Sequence, residues 1–410
     1  MKHLIAISLS PNTSLQDVFC AVSLIFSPGK QIKGESIHKL ERWFCDYFGV
    51  TQAVSFASGR TALFAILKSL DIGTGDEVLL QAFTCVAVPN SVIWAGATPV
   101  YVDIDSSLTI DIKNLEKKIT KKTKAIIVQH TFGIPTDMSS IQKIAKKLNI
   151  YVIEDCAHTI GGTYQNKKLG TYADASFFSF GRDKAFSSVF GGMVITSAKD
   201  LGRKIRDYQQ TLSYPSRWWV IQQLLHPVAF SFILPVYTSG LGKLILVLFQ
   251  KLHFLSFPVS WEEKVGGVRF DIFKKLPNAL AVLALFQLKR MKEFNSKRQK
   301  ISSFYVKELK NTSVTLPVEK IIPFLRFPIL SERKEQLLNL FRSNNVYLGN
   351  WYSSVIDPKG VDFKKIFYTP GSCPLAESIA TKVINLPTNP TTNISDAKRI
   401  ISLLHQYVEN

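Results

Sequence analysis

The chain has 410 residues, of which 46% are apolar and 20% are charged. It is therefore long enough for a large domain with a smaller one, and its composition excludes a disordered chain. The formal net charge of +19 suits nucleic acid, an anionic membrane surface or a phosphorylated substrate, and it does not choose among them. The five cysteines contain no C-x-x-C pair, which favours neither a disulfide framework nor a zinc site, so a reducing cytosol is the simplest location.

Short apolar strands alternate with amphipathic helices from about residue 51 to residue 196. The predicted strands are 78–82, 99–104, 124–130, 151–155, 175–180 and 192–196. The predicted helices are 61–70, 86–95, 112–119 and 138–148. This alternation predicts an α/β fold with a largely parallel sheet that is covered on both faces. In such sheets, ligands bind at the carboxyl ends of the strands.

The segment 212–262 interrupts the alternation, because it is dense in Leu, Phe, Trp and Ile. Helices are predicted after it at 278–294 and 296–309, and a mixed α/β tail follows over 314–410. We therefore predict a large domain, residues 1–274, that carries 212–262 as a hydrophobic insertion, and a smaller C-terminal domain, residues 275–410.

A turn of small residues, Ser58-Gly59-Arg60-Thr61, opens the first predicted helix. Backbone N–H groups at the start of a helix bind phosphate, and glycine lets the anion approach closely. Taken alone, the turn is more typical of an ordinary helix N-cap, so both interpretations stay open at this point.

Asp155 ends the predicted strand 151–155, and His158 follows it three residues later. A carboxylate at this place can cap a helix, or it can hold a protonated ring nitrogen, as a pyridinium needs if it is to act as an electron sink. His158 is placed to flank such a ring, although a lone histidine is more often a structural residue.

Ser179 lies near the end of the strand 175–180, and Lys184 lies in the turn that follows it. The serine hydroxyl can bind a phosphate or the backbone. An amine forms a Schiff base only when it is neutral, which requires a desolvated or positively biased site, and a buried turn between strands offers one. Together with Asp155 and the glycine turn at 58–59, these residues fit one cofactor, pyridoxal 5'-phosphate.

Longer stretches of the chain resemble the DegT/DnrJ/EryC1/StrS family of sugar aminotransferases. They are 58–63 (SGRTAL), 73–105, 123–138, 153–184 (ending FFSFGRDK) and 373–390 (CPLAESIATKVINLPTNP). The resemblance implies fold type I of the pyridoxal-phosphate-dependent transferases, the aspartate aminotransferase-like fold, with a mostly parallel seven-stranded sheet in the large domain. It also implies transfer of an amino group from glutamate or glutamine to a nucleotide-linked keto sugar, for cell-surface polysaccharide, by a homodimer.

The resemblance also assigns roles to single residues. It makes Lys184 the lysine that holds the cofactor's aldehyde and moves the substrate's proton, and it makes Asp155 the partner of the ring nitrogen. It places His158 beside the ring oxygen, where the family commonly has glutamine. It assigns the phosphate to Ser179 and to the turn at Ser58-Gly59.

Two cofactor-binding positions depart from the family pattern. Arg60 stands where threonine is common, and its guanidinium can contact the phosphate, or the carboxylate or diphosphate of a substrate. Cys85 stands where an aromatic ring commonly stacks on the pyridine, so it offers a thinner contact. Neither change removes a catalytic group.

Two alternatives to the aminotransferase stay open. A sugar dehydratase would keep the cofactor, but dehydratase relatives characteristically have histidine at the lysine position, and Lys184 argues against it. A membrane-surface binding protein on an inactive aminotransferase fold would be favoured if Lys184 or Asp155 were missing, and both are present. We expect no metal site and no nucleic-acid partner.

The insertion is the largest departure from the family. From 228 to 248 Lys243 is the only charged residue, yet Pro235, Gly240 and Gly242 interrupt the apolar run. This pattern disfavours a single spanning helix and is compatible with a re-entrant or surface-lying helical pair at a membrane, while a hydrophobic lid or a dimer-interface insertion is the competing interpretation. We expect a cytoplasmic protein, with peripheral contact at the inner face of the membrane as an open alternative.

Overall fold

The computed structural model describes residues 3–257, 259–268, 270–310, 312 and 314–408. The helices, in chain order, are α1 (Leu15–Ile25), α2 (Ser36–Phe48), α3 (Gly59–Ser69), α4 (Ala87–Trp94), α5 (Ile112–Lys118), α6 (Met138–Leu148), α7 (Lys199–Thr211), α8 (Arg217–Ile233), α9 (Leu241–Lys251), α10 (Trp261–Lys264), α11 (Asn278–Leu288), α12 (Met291–Leu309), α13 (Lys334–Ser343), α14 (Pro374–Lys382) and α15 (Ile394–Val408). The strands are β1 (Ile5–Ala6), β2 (Gln52–Phe56), β3 (Glu77–Gln81), β4 (Thr84–Cys85), β5 (Thr98–Val102), β6 (Thr123–Gln129), β7 (Tyr151–Asp155), β8 (Thr163–Tyr164), β9 (Lys167–Lys168), β10 (Ala175–Ser179), β11 (Gly192–Thr196), β12 (Phe327–Leu330), β13 (Val346–Tyr347), β14 (Ile356–Asp357) and β15 (Val383–Leu386).

The central sheet has seven strands in the order β2–β11–β10–β7–β6–β3–β5. The five strands from β10 to β5 pair in parallel, whereas β11 runs antiparallel to both β10 and β2. The predicted α/β fold with a mostly parallel sheet is therefore confirmed. The strands β7 and β11 have the predicted bounds, and the edge strand β2 is one that the sequence analysis did not predict.

Both faces of the sheet are buried. Successive side chains of a strand point to opposite faces, so each strand contributes to the core on both sides. In β3, Val78 and Leu80 pack in one apolar cluster with residues of α3, and Leu79 packs in another with residues of α5 and α6. A fully buried valine or leucine contributes about 1.5–3 kcal/mol relative to an exposed one, so this layering fixes where the strands end.

The helices around the sheet match their sequence patterns closely. The helix α6 has the predicted bounds, begins at the N-cap Asp137 and ends at Asn149 in the left-handed conformation. The predicted break between 278–294 and 296–309 is misplaced, because α11 ends at Leu288 and α12 begins at Met291. Arg290, in that junction, pairs with Asp17 of α1, so a contact with a distant helix lies at the observed break.

The C-terminal part is built around a small antiparallel sheet in which β12 pairs with β15. The N-terminal strand β1 pairs in parallel with β13, so the first described residues contact the C-terminal part. The division into domains at residue 274 stays a prediction.

In the described part of the insertion, α8 and α9 form a helical pair, and the short helix α10 begins at its end. The helix α8 packs against both α1 and α9, and a 3₁₀ turn at Leu234–Val236 follows it. The stretch 217–236 is long and apolar enough to cross a membrane by length and composition alone, with 44% of an 18-residue window buried inside the protein.

Candidate active site

A cavity of about 440 Å³ opens at the carboxyl edge of the sheet. It lies where β7 ends at Asp155, β6 at Gln129 and β10 at Ser179, as expected for a parallel sheet. The eight residues that the sequence analysis selected all line it, namely Ser58, Gly59, Arg60, Cys85, Asp155, His158, Ser179 and Lys184. The fold therefore brings together side chains that are up to 126 positions apart in the sequence, from Ser58 to Lys184.

The backbone around Lys184 is held from two sides. The side-chain amide of Asn12 donates to the carbonyl oxygen of Lys184 at 2.6 Å, and the guanidinium of Arg298 donates to that of Ala185 at 2.8 Å. Arg298 is 1% exposed and also donates to Asn12, so the three residues form one buried network. The Lys184 amine itself makes no hydrogen bond or ion pair with any residue in the described ranges, which leaves it available in the cavity.

Asp155 is a buried carboxylate that lines the same cavity as the lysine. It is 3% exposed, and its Oδ1 accepts a hydrogen bond from the N–H of Ala157 at 2.9 Å. Burial raises the pKa of Asp155, while the Ala157 N–H and the charge of Lys184 act in the opposite direction. A cationic group beside Asp155 would therefore be stabilised, because this carboxylate has lost most of its contact with water.

The turn at Ser58 is a helix N-cap. The Ser58 hydroxyl accepts a hydrogen bond from the N–H of Thr61 at 3.1 Å, while the N–H groups of Gly59 and Arg60 have no partner among the described residues. A Cβ added at Gly59 would lie 3.0 Å from the Cβ of Ser179. Glycine thus lets the start of α3 approach Ser179 without a tight contact. The two free N–H groups and the hydroxyl of Ser179 form a pre-arranged anion cradle.

The guanidinium of Arg60 is ion-paired with Glu263 of α10. Glu263 is 2% exposed, and its second carboxylate oxygen accepts the N–H of Ser260 at 2.9 Å in a capping box. The carbonyl of Glu263 also accepts from the amide of Asn90 at 2.7 Å. The short helix that ends the insertion is therefore fixed on the start of α3, and part of the Arg60 guanidinium is already committed to it.

His158 is buried in a cluster with the rings of Phe132 and Tyr352, which also contact each other. Its ring lies 5.8 Å from that of Phe132 with an angle of 13°, and 6.1 Å from that of Tyr352. Its Nδ1 accepts the N–H of Phe132 at 3.2 Å, so the neutral ring carries its proton on Nε2. Burial lowers the pKa of His158 well below its usual value, which keeps the ring neutral and makes it a hydrogen-bond donor on the Nε2 side.

Cys85 joins the two parts of the protein at the cavity. Its strand β4 pairs in parallel with β14 of the C-terminal part, in register with Asp357. Burial raises the pKa of the Cys85 thiol to about 11, and Asp357 adds to the effect, so the thiol is protonated at neutral pH. A neutral, small side chain here can contact a ring without adding charge.

Known proteins match this chain over nearly its whole length. The profile of the DegT/DnrJ/EryC1/StrS aminotransferase family matches residues 16–223 and 251–405. The chain belongs to this family. GDP-perosamine synthase of Caulobacter vibrioides is 29% identical over 91% of this chain and 90% of its own. The dTDP-3-amino-3,6-dideoxy-alpha-D-galactopyranose transaminase of Aneurinibacillus thermoaerophilus is 26% identical over 94% of each.

Solved structures agree with the family assignment at the level of the fold. Helicobacter pylori PseC, an aminotransferase involved in the biosynthesis of pseudoaminic acid, superposes with a TM-score of 0.77 at 22% identity and covers 99% of both chains. The fold-type-I expectation is thereby confirmed. The family match omits residues 224–250, which comprise the second half of α8 and nearly all of α9.

The cavity of this family member also contains residues that the sequence analysis did not select. The cationic ones are Arg182, Lys264 and Arg326, and the aromatic ones include Trp351 and Tyr352. Arg182 is two residues from Lys184 in the sequence, so this proximity could have marked it as a candidate site residue. Arg326 and Lys264 come from other segments, and no local pattern in the sequence marks them.

Arg326 has an unused donor in the cavity. It is 4% exposed, donates to the carboxylate of Asp183 at 2.9 Å and lies on the ring of Trp351, while its second terminal nitrogen has no partner among the described residues. Burial lowers its pKa to about 10, so it remains a cation at neutral pH. A buried cation with a free donor is suited to bind an anionic group of a ligand.

Proposed function

We propose that this protein is a pyridoxal-phosphate-dependent aminotransferase that transfers an amino group from glutamate or glutamine to a keto sugar on a nucleotide diphosphate. The observation that carries the proposal is the shared cavity of Lys184, Asp155 and the start of α3, in a chain of the sugar aminotransferase family. The named relatives make or use nucleotide-linked amino sugars, which supports this substrate class.

The residues of the cavity fit the proposed cofactor. The free N–H groups of Gly59 and Arg60, with the hydroxyl of Ser179, supply an anion cradle for a phosphate, and Asp155 supplies a buried carboxylate for a protonated ring nitrogen. Pyridoxal phosphate, when bound, supplies an electron sink for the carbon that gains or loses the amino group. The Lys184 amine is available to hold the aldehyde.

Each of these side chains has a defined task in the proposed reaction. The Lys184 amine lines the cavity without a hydrogen bond or ion pair to a described residue, so it would be the group that takes a proton from the substrate carbon and returns it. Asp155 would hold a proton on the cofactor's ring nitrogen, and the Nε2–H of His158, which lies 3.5 Å from the Tyr352 hydroxyl, would be the donor to a ring oxygen. The buried network of Asn12 and Arg298 positions the lysine backbone.

The cationic residues of the cavity suit acidic substrates. Arg182, Lys264 and Arg326 line it together, and both a nucleotide diphosphate and the carboxylates of glutamate carry negative charge. The sugar dehydratase alternative stays disfavoured by Lys184. We also propose that the chain acts as a cytoplasmic homodimer, as its family resemblance implies, and sedimentation of the purified protein tests the oligomeric state.

Turnover of nucleotide-linked keto sugars with glutamate, followed by release of 2-oxoglutarate, tests the activity. The purified protein should be yellow, with an adduct that borohydride traps. Lys184→Ala should abolish the adduct and turnover, while Lys199→Ala, at an exposed position of α7, should retain both. A colourless protein that ignores added pyridoxal phosphate would contradict the proposal.

A further inference from the structure

The outer face of α9 is apolar and has no covering among the described residues. Leu244 is 65% exposed, and Val247 and Leu248 are 47% and 48% exposed. Leu241 and Leu252, one turn before and one turn after, are also exposed. We call these five residues the α9 face, and their spacing of three and four places them on one side of the helix.

The opposite side of α9 is apolar as well. Ile245, Leu246 and Phe249 pack against Phe230 and Ile233 of α8 in a separate small core. A surface helix of a soluble protein normally turns charged or polar residues to water on its outer side. The helix α9 therefore lacks the polar side that a water-exposed helix has. A partner that covers the α9 face would explain its exposed apolar residues.

Exposed apolar residues continue onto the helices beside α9. Phe232 of α8 is 71% exposed, and α8 packs against α1. In α1, Leu15 and Phe19 are 70% and 71% exposed, and Phe26, directly after the helix, is 82% exposed. Exposed apolar side chains are thus present on α8, which packs on both α1 and α9, as well as on those two helices.

The charges on the insertion have one sign. No Asp or Glu occurs between Asp207 and Glu262, whereas Arg217, Lys243 and Lys251 are exposed and form no ion pair with a described residue. The chain as a whole carries +19. The partner that covers the α9 face must therefore tolerate, or be attracted by, basic side chains.

A second copy of the chain fits this surface poorly. A two-fold contact would place the same patch on both sides, so Lys243 and Lys251 of the copies would face each other without a carboxylate from the insertion between them. An anionic bilayer offers acyl chains for the leucines and head groups for the lysines.

We propose that the helical pair α8–α9 docks the protein on an anionic lipid bilayer, with the α9 face in the acyl boundary and the basic side chains at the head groups. The helices lie on the surface, since Gly240 in the left-handed conformation separates α8 from α9 and nearly half of the 217–236 window is buried in protein. The segment after α9 leads to the active site, because Phe257 is exposed and also lines the cavity.

Flotation of the purified full chain with vesicles tests this docking. The protein should float with vesicles of phosphatidylcholine and phosphatidylglycerol at low salt, float much less with pure phosphatidylcholine, and detach as salt increases. Docking is independent of the proposed reaction, so flotation is measured without substrates.

Two variants separate the apolar and the ionic parts. L244S/V247S/L248S on the α9 face should lower the bound fraction on anionic vesicles roughly tenfold or more. K243E/K251E should also lower the bound fraction, chiefly on anionic vesicles, because it removes the attraction to the head groups. The control L148S/I321S removes two exposed apolar side chains elsewhere, at 47% and 54% exposure, and should float as the wild type does. None of these residues lines the cavity, so turnover in solution should remain that of the wild type.

Two results would overturn the proposal. One is a wild-type protein that stays in the soluble fraction with anionic vesicles at low salt. The other is that, in lipid-free sedimentation, the L244S/V247S/L248S variant has a lower mass than the wild type while both proteins float equally well. That result would assign the α9 face to contact between copies.

Discussion

The carboxylates of Glu154 and Asp155, consecutive residues of β7, lie on opposite faces of the central sheet. Glu154 is fully buried and accepts hydrogen bonds from the N–H groups of Gly170 at 2.7 Å and Tyr172 at 2.8 Å. Asp155 faces the cavity and has one backbone donor, Ala157. One carboxylate therefore holds a loop, and its neighbour is left with capacity for a ligand.

Replacing these two carboxylates should have opposite effects. Asp155→Asn should lower kcat/KM roughly a hundredfold or more, equivalent to about 3 kcal/mol of transition-state stabilisation, because an amide does not keep a proton on the ring nitrogen. Glu154→Gln should leave the activity of the folded fraction near that of the wild type but lower the free energy of unfolding by about 1–3 kcal/mol, since a backbone N–H loses its acceptor. Equal turnover of Asp155→Asn and the wild type would reject the role of Asp155.

The same Asp155→Asn variant should be at least as stable as the wild type without cofactor at neutral pH. The folded-state pKa of Asp155 is raised by burial, so the folded protein gains stability from a protonated Asp155 at low pH and loses it as the pH rises through that pKa. Asparagine does not ionise and avoids this loss. Thermal unfolding of the cofactor-free proteins measures the difference.

His158 should tolerate glutamine and reject phenylalanine. Its Nδ1 accepts a backbone N–H and its Nε2 carries the proton, so its proposed task is that of a neutral donor, which a glutamine amide also performs. His158→Gln should retain turnover within about tenfold, and His158→Phe, which preserves the stacking on Phe132, should lose more. Measured kcat and cofactor retention of the two variants decide the matter, and a smaller loss in His158→Phe than in His158→Gln would show that the ring shape, and not the donor, is used.

Local sequence signals account for six of the seven strands of the central sheet and for the selection of the site residues. The bounds of β7, β11 and α6 follow from apolar runs and turn residues that lie next to them in the chain. The residues at the carboxyl ends of strands share a cavity because parallel strands end at one edge. The sequence therefore predicted that Asp155 and Lys184 line one cavity, since each lies at the end of a predicted strand or in the turn after it.

Other features depend on contacts between distant segments. The break before α12 coincides with the pairing of Arg290 with Asp17, which are 273 residues apart in the sequence. Arg326 reaches the cavity by packing on Trp351 and pairing with Asp183. A periodic pattern reports which face of a helix or strand is buried, but it does not report which distant charge that face meets.

Arg326 should bind an anionic group of one substrate. Its free terminal nitrogen and its burial in the cavity predict that Arg326→Lys, which keeps the charge but loses the planar fork, raises KM for that substrate about tenfold with a smaller change in kcat. Separate titrations of glutamate and of the nucleotide sugar should show the rise for one of the two. Unchanged KM values for both would assign Arg326 to its contact with Asp183 alone.

His226 should make the protein sensitive to acid. It is buried in α8 with neither ring nitrogen hydrogen-bonded to a described residue, and burial together with the charge of Arg182 lowers its pKa well below the usual value. The unfolded chain binds a proton at a pKa of about 6.5, so stability present above that pH falls by about 1.4 kcal/mol per pH unit below it.

His226→Phe removes this proton and keeps the ring that packs on Phe230. Since half of the unfolded chains already carry this proton at pH 6.5, the variant's advantage in free energy of unfolding should grow by about 1 kcal/mol between pH 6.5 and pH 5.5, measured by denaturant unfolding without lipid. Parallel stability curves of the two proteins over that interval would show that this histidine already reaches water or an acceptor.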